Sequence, residues 1–123
     1  MIFKEPDSAW NALNPSGFKY GENLRARPWG NMTAGGMMRN AEESHLPKPG
    51  FCNNYAATAQ EEDKAETWSH MLRVPGFLHD DKDVLKKMQY LKRLMKSRFP
   101  ALDDEFWARV HKLHPIKDYT IKW

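Results

Sequence analysis

The local sequence with the clearest structural meaning runs Tyr55-Ala-Ala-Thr58-Ala-Gln-Glu61-Glu62-Asp-Lys-Ala65-Glu66. Thr58 is followed three positions later by Glu61, which is a capping box and predicts a helix that begins at Thr58. The helix is expected to end near Arg73, because Pro75 cannot continue it. Its apolar stripe is expected to consist of Ala65, Trp68, Met71 and Leu72. This stretch therefore predicts one well-bounded helix in the middle of the chain.

Glu62 and Glu66 stand four positions apart in this predicted helix. A four-residue step brings the two carboxylates to one face, one turn apart. There they repel each other unless a cation, or a histidine bound to one of them, stands in front. The alternative interpretation is two exposed acids favoured by the helix dipole and paired with Lys64 or Arg73. In that interpretation Tyr55 is an ordinary core aromatic.

Two further helices are predicted downstream. The second begins after a cap at Asp80 or Asp81 and extends to about Arg98, because apolar residues recur in it at helical spacing. Those residues are Val84, Met88, Leu91 and Met95. The third helix spans about residues 103 to 113. Its core-facing residues are expected to be Phe106, Val110 and Leu113, and Trp107 is expected to widen that face.

Residues 1 to about 50 are predicted to form an extended arm with turns, ahead of a helical region over residues 51–123. Turn formers punctuate this arm, for example at Asn14-Pro15 and Pro47-Lys48-Pro49-Gly50. One short helix is expected near its start, capped by Asp7 or Ser8. We expect the arm to make few contacts with the helices and to expose its aromatics, which are Trp10, Phe18, Tyr20 and Trp29. The predicted fold class is thus mainly α, with an irregular N-terminal arm followed by about three helices.

The composition limits the class of protein. With 123 residues, 41% of them hydrophobic, the chain has room for one modest domain. Its mean hydropathy is -0.79, and no run approaches the roughly 18 apolar residues that span a bilayer. Neither a signal peptide nor a membrane partner is expected. The single cysteine, Cys52, excludes an internal disulfide and a cysteine-based zinc site and favours an intracellular setting, although the compartment remains unknown.

The formal net charge of +3 arises mainly in one segment of the chain. Lysines and arginines concentrate between Lys82 and Arg98, within the second predicted helix. We interpret them as a solvated helix face, because the number of charged residues bears on solubility first and only then on binding partners. No nucleic-acid recognition motif accompanies them, so nucleic acid is not an expected partner.

The motif around Tyr55, Glu62 and Glu66 resembles the third-ligand helix of zinc metallopeptidases of the gluzincin class, in their lethal-factor-like form with the pattern Tyr-x6-Glu-x3-Glu. Flanking blocks between about residues 10 and 108 resemble the C-terminal half of such enzymes. The resemblance implies a partial zincin-like metallopeptidase domain. It further implies that Glu62 binds zinc, that Glu66 hydrogen-bonds a zinc-binding histidine, and that Tyr55 is catalytic, through stabilisation of the oxyanion.

The sequence departs from this family in one respect that decides activity. The HExxH motif, which carries two zinc-binding histidines and the general base, does not occur in it. The histidines are His45, His70, His79, His111 and His114, and no two of them have the HExxH spacing. His111 and His114 share a helix face and are interpreted as surface residues rather than ligands.

We therefore expect the C-terminal portion of a zinc metallopeptidase that is inactive alone. Zinc is expected as a cofactor only if an HExxH segment completes the site, and otherwise no cofactor is expected. The partner would be the missing N-terminal half or another subunit, and the completed site would act on a peptide or protein substrate. The alternative is a non-catalytic, peptidase-derived structural or interaction subunit of a larger assembly. The sequence leaves the substrate and the oligomeric state open.

Overall fold

The computed structural model describes residues 7–21, 46–73 and 79–113. They form helices α1 (Ser8–Asn11), α2 (Gln60–Arg73), α3 (Lys82–Arg98) and α4 (Asp104–Leu113), with a 3-10 turn at Tyr55–Thr58 ahead of α2. Within the described ranges, β structure is limited to an isolated antiparallel bridge between Lys48 and Phe51. The predicted mainly helical fold is confirmed. None of the helices in these ranges is long and apolar enough to cross a membrane.

Aspartate side chains cap two of the helices, as the sequence predicts. Asp7 accepts a hydrogen bond from the backbone N–H of Trp10 at 2.9 Å and so starts α1. Asp81 accepts from the N–H groups of Asp83 and Val84 at 2.9 and 3.2 Å and starts α3. The same Asp81 carboxylate accepts from the N–H of Gly50 at 2.8 Å. The Asp81 side chain therefore accepts from free N–H donors at the start of α3 and also links α3 to the loop that contains Gly50.

The predicted capping box at Thr58 is wrong. Thr58 belongs to the 3-10 turn, and its hydroxyl donates to the backbone carbonyl of Tyr55 at 2.7 Å. Threonine hydroxyls readily bond to nearby backbone groups in this way, and a hydroxyl so engaged no longer caps the helix. Ala59 is extended, with φ -158° and ψ 155°, and α2 begins at Gln60. The predicted end of the helix at Arg73 is confirmed.

One residue of the N-terminal segment lies in the core between the helices. Trp10 has no exposed surface and packs with five other buried side chains of α2, α3 and α4, namely Met71, Val84, Met88, Leu91 and Trp107. Phe18 packs against Phe51, with ring centroids 4.6 Å apart. The expectation of few contacts and exposed aromatics is therefore wrong for residues 7–21. Trp29 lies outside the described residues, and the division near residue 50 stays a prediction.

Two predicted helix faces also differ in the structure. Ala65, expected within the apolar stripe of α2, is exposed, and the buried residues of that helix are Asp63, Lys64, Thr67 and Met71. In α4 Trp107 is buried, as expected, whereas Leu113, expected to face the core, is 76% exposed. Trp107 packs edge-on against Trp68 of α2, with ring centroids 5.3 Å apart.

The buried face of α2 carries charges that are paired inside the protein. Asp63 and Lys87 are fully buried and form an ion pair at 2.8 Å between Oδ2 and Nζ. Tyr20 and Trp10 donate to the same Asp63 oxygen at 2.6 and 3.2 Å. Burial raises the pKa of Asp63 and lowers that of Lys87, so each group depends on its partner to stay charged. This pair fixes α2 against α3.

A second ion pair joins the N-terminal segment to α2 and α3. Lys64 is 1% exposed and donates to Asp7 at 3.0 Å. The hydroxyl of Tyr90 donates to the same Asp7 oxygen at 2.7 Å. Burial acts to raise the pKa of Asp7, but the hydrogen bonds from Tyr90, Trp10 and Lys64 outweigh it, and the pKa is lowered. Asp7 therefore caps α1 and also ties it to both neighbouring helices.

Candidate functional site

The three residues singled out by the sequence lie on one side of the molecule. Glu62 and Glu66 project from α2 one turn apart, and both are half-buried. Tyr55, in the turn ahead of α2, forms a side-chain hydrogen bond with Glu62. Burial, this hydrogen bond and the negative charges of Glu62 and Glu66 raise the pKa of the Tyr55 phenol. The predicted placement of Tyr55 beside the two carboxylates is thus confirmed, whereas the roles of the three residues stay predictions.

Asn53 belongs to this site and was missed by the sequence interpretation. It is only 6% exposed, and its side-chain N–H donates to Glu66 Oε2 at 2.9 Å. Its Oδ1 accepts from the backbone N–H of Ala56 at 2.9 Å. Because both ends of the amide are used, its orientation is fixed and it holds the Glu66 carboxylate in place. The available signal was an asparagine two positions ahead of Tyr55, at the start of a tight turn.

The alternative interpretation of the two glutamates depends on nearby cations, and one of these is engaged elsewhere. Lys64 lies between Glu62 and Glu66 in sequence, yet its ammonium is buried and paired with Asp7. Arg73 Nε lies 3.5 Å from the backbone carbonyl of Ser69. Ala65, also between the glutamates, is exposed, and its small side chain leaves space beside them. The α2 face that carries Glu62 and Glu66 is therefore acidic and partly exposed.

The rigidity of this face comes from the buried side of the same helix. Asp63 directly follows Glu62 in the chain and is held by Lys87 at 2.8 Å. Lys87 also donates to the carbonyl of Gly50 at 2.8 Å, and its ammonium lies 3.7 Å from the centroid of the Phe51 ring. These contacts set the rotation of α2 about its axis. As a consequence, the neighbouring Glu62 and Glu66 must point outward.

The histidines of the described residues contact the backbone or each other. His70 Nδ1 lies 3.0 Å from the carbonyl oxygen of Glu66, and the His70 ring lies 6.5 Å from that of His79. Burial and the neighbouring His70 lower the pKa of His79. His111 Nε2 lies 3.1 Å from the carbonyl oxygen of Met71. His45 and His114 lie outside the described residues, so the interpretation of His111 and His114 as surface residues stays a prediction.

A zinc site needs more ligands than this face presents. Within residues 7–21, 46–73 and 79–113, no group of three or more histidine, cysteine, aspartate or glutamate side chains is arranged to hold a metal ion. Catalytic zinc is held by three protein ligands. Glu62 and Glu66 therefore do not fit a complete zinc site by themselves.

Comparison of the chain with known proteins identifies no relative. No family model matches the chain, and no characterised protein or solved structure shows significant similarity to it.

Proposed function

We propose that this chain carries the carboxylate helix of a zinc-dependent peptidase site, which a separate segment bearing HExxH must complete. The observation that carries the proposal is the hydrogen bond between Tyr55 and Glu62, next to a Glu66 held by Asn53 on the same face of α2. A tyrosine and two carboxylates assembled this way match the three roles that the family resemblance assigns. The exposed Ala65 leaves room for a second helix to approach.

Glu62 is the residue that would bind the metal. Its position is set by a helix anchored through the adjacent Asp63 and Lys87, which suits a ligand whose geometry must be reproducible. When bound, zinc supplies a water whose pKa falls to about 7, which gives hydroxide at neutral pH. The general base for that water is the glutamate of HExxH, so the chain alone lacks it.

Glu66 is proposed to orient an imidazole of the incoming segment. A histidine bound to a metal usually donates its second N–H to a carboxylate, which fixes the ring. In this structure Asn53 occupies Glu66 Oε2, and Oε1 is the oxygen assigned to the imidazole. Holding one oxygen fixes the direction in which the other can accept a hydrogen bond.

Tyr55 is proposed to donate to the oxygen of the substrate carbonyl as negative charge develops there. A donor must keep its proton, and a tyrosine phenol, with an ordinary pKa of 10.0 that is raised further at Tyr55, is protonated at neutral pH. Before substrate binds, Glu62 accepts the hydrogen bond of this phenol. In the completed site, zinc would bind the Glu62 carboxylate, and the substrate carbonyl would replace Glu62 as the acceptor for the Tyr55 phenol. The phenol is therefore already positioned to donate to the substrate.

An interaction subunit without catalysis is the second candidate, and exposed apolar side chains favour it. Phe99 and Leu113 are 53% and 76% exposed, at the ends of α3 and α4. Such residues suit contact with another protein chain. In this case the Tyr55–Glu62–Glu66 face would be retained without a metal.

The two candidates are separated by fusing the chain to the HExxH-bearing segment encoded at the same genomic locus and measuring peptide hydrolysis. The proposal predicts zinc-dependent hydrolysis that Glu62→Ala abolishes and that Glu61→Gln, a neighbouring acid of the same helix, leaves unchanged. Tyr55→Phe should keep zinc bound and slow turnover by roughly 100-fold to 1,000-fold, the effect of losing one oxyanion donor. A folded fusion that binds no zinc and cleaves no peptide would favour the interaction subunit.

A further inference from the structure

A row of polar side chains, four of them positively charged, follows the outward side of α3. Its members repeat at intervals of 4, 3, 4 and 3 residues and are all exposed: Lys82, Lys86, Gln89, Arg93 and Lys96. At about 3.6 residues per turn and about 1.5 Å per residue, they lie within an arc of about 80° over a length of about 21 Å. Four positive charges are therefore aligned along one side of the helix. We call these five residues the basic row.

The negative charges of the protein engage this row only weakly. Within residues 7–21, 46–73 and 79–113, its one ion pair joins Lys86 to Asp83 at 4.0 Å, where the side chains are 63% and 49% exposed. A pair so exposed contributes little. Asp104 is bound at 2.7 Å by Lys92, which lies outside the row. Solvated surfaces commonly intersperse both signs of charge, so a row of one sign can still take up an acidic partner.

An apolar cavity of about 340 Å³ opens beside the basic row, among α2, α3 and α4. Its deeper lining is formed by Met71, Met88 and Trp107, each 5% exposed or less. Leu85, which is half-buried, and the exposed Gln89 form its rim. The other lining residues are Lys92 and His111. Because Gln89 belongs to both features, the basic row forms one edge of the cavity.

We infer that this surface binds an acidic amphipathic helix of another protein chain, independently of the proposed peptidase role. Apolar side chains of that helix enter the cavity against Met71, Met88 and Trp107, and its carboxylates face the basic row. Helices bind to apolar grooves through anchors at positions i, i+3 or i+4, and i+7. The basic row repeats at the same intervals, which are those at which one helix runs along another. Methionines in the lining adapt to the shape of the anchors.

The combination of cavity and row favours a protein helix over other anions. Nucleic-acid phosphates would contact the row but leave the apolar cavity unfilled, and the row has no aromatic side chain for a base to stack on. An anionic membrane surface would need apolar side chains that project outward to insert among the lipids. Here Met71, Met88 and Trp107 are recessed.

The test measures the binding of labelled synthetic helices to the full chain by fluorescence anisotropy at about 0.1 M salt. The acidic probe spans the row with about 16 residues, carries leucines at the anchor spacing and has glutamates along one flank. It should bind at least about 10-fold more tightly than a probe with lysine for glutamate or one with alanine for leucine. Equal binding of the glutamate and lysine probes would overturn the inference. A DNA duplex of about 16 base pairs that binds more tightly than the acidic probe would also overturn it.

Paired variants test whether the basic row is the contact. Lys86→Gln with Arg93→Gln should weaken binding of the acidic probe by about fivefold to tenfold, the effect of losing two exposed ion pairs. The matched control is Lys19→Gln with Arg109→Gln, which removes the same charge at exposed positions outside the row and the cavity lining. It should change binding by less than about twofold, because only screened long-range attraction is lost. Equal losses for the two double variants would contradict a specific row.

A variant at the rim tests whether the cavity takes part. Leu85→Glu should weaken binding of the acidic probe by at least about 10-fold, because a carboxylate at the rim opposes both the leucines and the glutamates of the probe. Circular dichroism checks that this variant folds. If it does not, Gln89→Glu at the exposed rim position should weaken binding by about fivefold. A folded rim variant that binds the probe as tightly as the unmodified chain would overturn the inference.

Discussion

Asn53 holds the carboxylate of Glu66 through a 2.9 Å hydrogen bond from its side-chain amide, while the backbone N–H of Ala56 fixes the other end of that amide. The Asn53 side chain therefore links the turn ahead of α2 to the second turn of that helix. Tyr55 lies within this same turn and reaches Glu62. One buried asparagine therefore fixes Glu66 relative to the turn that carries Tyr55.

Replacing this asparagine should loosen the turn. Asn53→Ala removes two hydrogen bonds and leaves the buried Ala56 N–H without its acceptor, so the free energy of unfolding should fall by about 1 to 3 kcal/mol. Urea denaturation followed by circular dichroism measures this change. Combined with Glu66→Ala, the loss should be less than additive, because both changes break one contact. Additive losses would show that the Asn53–Glu66 contact contributes nothing, and Glu61→Ala with Asn53→Ala is the matched additive control.

The buried pair of Asp63 and Lys87 should be the most sensitive point of the fold. Lys87→Met leaves a fully buried carboxylate without its cation, and the expected loss in stability is about 3 to 5 kcal/mol. Adding Asp63→Asn to Lys87→Met should recover part of that loss, since the amide oxygen still accepts from Tyr20 and Trp10 without a charge. Lys86→Met, at a 63% exposed lysine one position earlier, should change stability by less than about 0.5 kcal/mol. Equal effects at positions 86 and 87 would contradict the burial of this pair.

The single thiol should react slowly in the folded protein. Burial raises the pKa of Cys52 to about 12 from its ordinary value of 9.0, and the Thr67 hydroxyl lies 3.9 Å from the sulfur. Only the thiolate is nucleophilic, so at about pH 8 the rate of reaction with a disulfide reagent should be roughly a thousandfold below that of the unfolded chain. The folded rate should keep rising with pH beyond the point at which the unfolded rate levels off. Equal rates in buffer and in concentrated urea would contradict this environment.

The parts of the fold that the sequence predicts correctly are those governed by neighbouring residues. Asp7 and Asp81 cap helices through N–H groups two or three positions away, and α2 ends at Arg73, as the proline two positions later in the sequence predicts. Thr58 shows the limit of this approach, because a bond to the carbonyl of Tyr55 competes with the cap.

Contacts between distant segments could not be predicted in the same way. Trp10 packs in the core with side chains of α2, α3 and α4, and Asp63, 53 positions later, accepts a hydrogen bond from its indole N–H. The sequence pattern of α2 showed apolar residues as its core face, whereas the structure buries Asp63 and Lys64 there, each with a partner from another segment. The acidic face of Glu62 and Glu66 was predicted because the four-residue spacing is local. Its dependence on Asn53 was missed because that contact spans a turn.

The most direct measurement of the central proposal is the zinc content of the chain, alone and fused to its HExxH segment, after dialysis against metal-free buffer. The chain alone should retain no stoichiometric zinc, since its described residues supply Glu62 but not the three ligands of a catalytic site. The fusion should retain about one zinc per molecule. Glu62→Ala should abolish that binding or weaken it severely, while Glu66→Ala should weaken it by about 10-fold to 100-fold. Tightly bound zinc in the chain alone, or a fusion whose zinc content is indifferent to Glu62→Ala, would contradict the account.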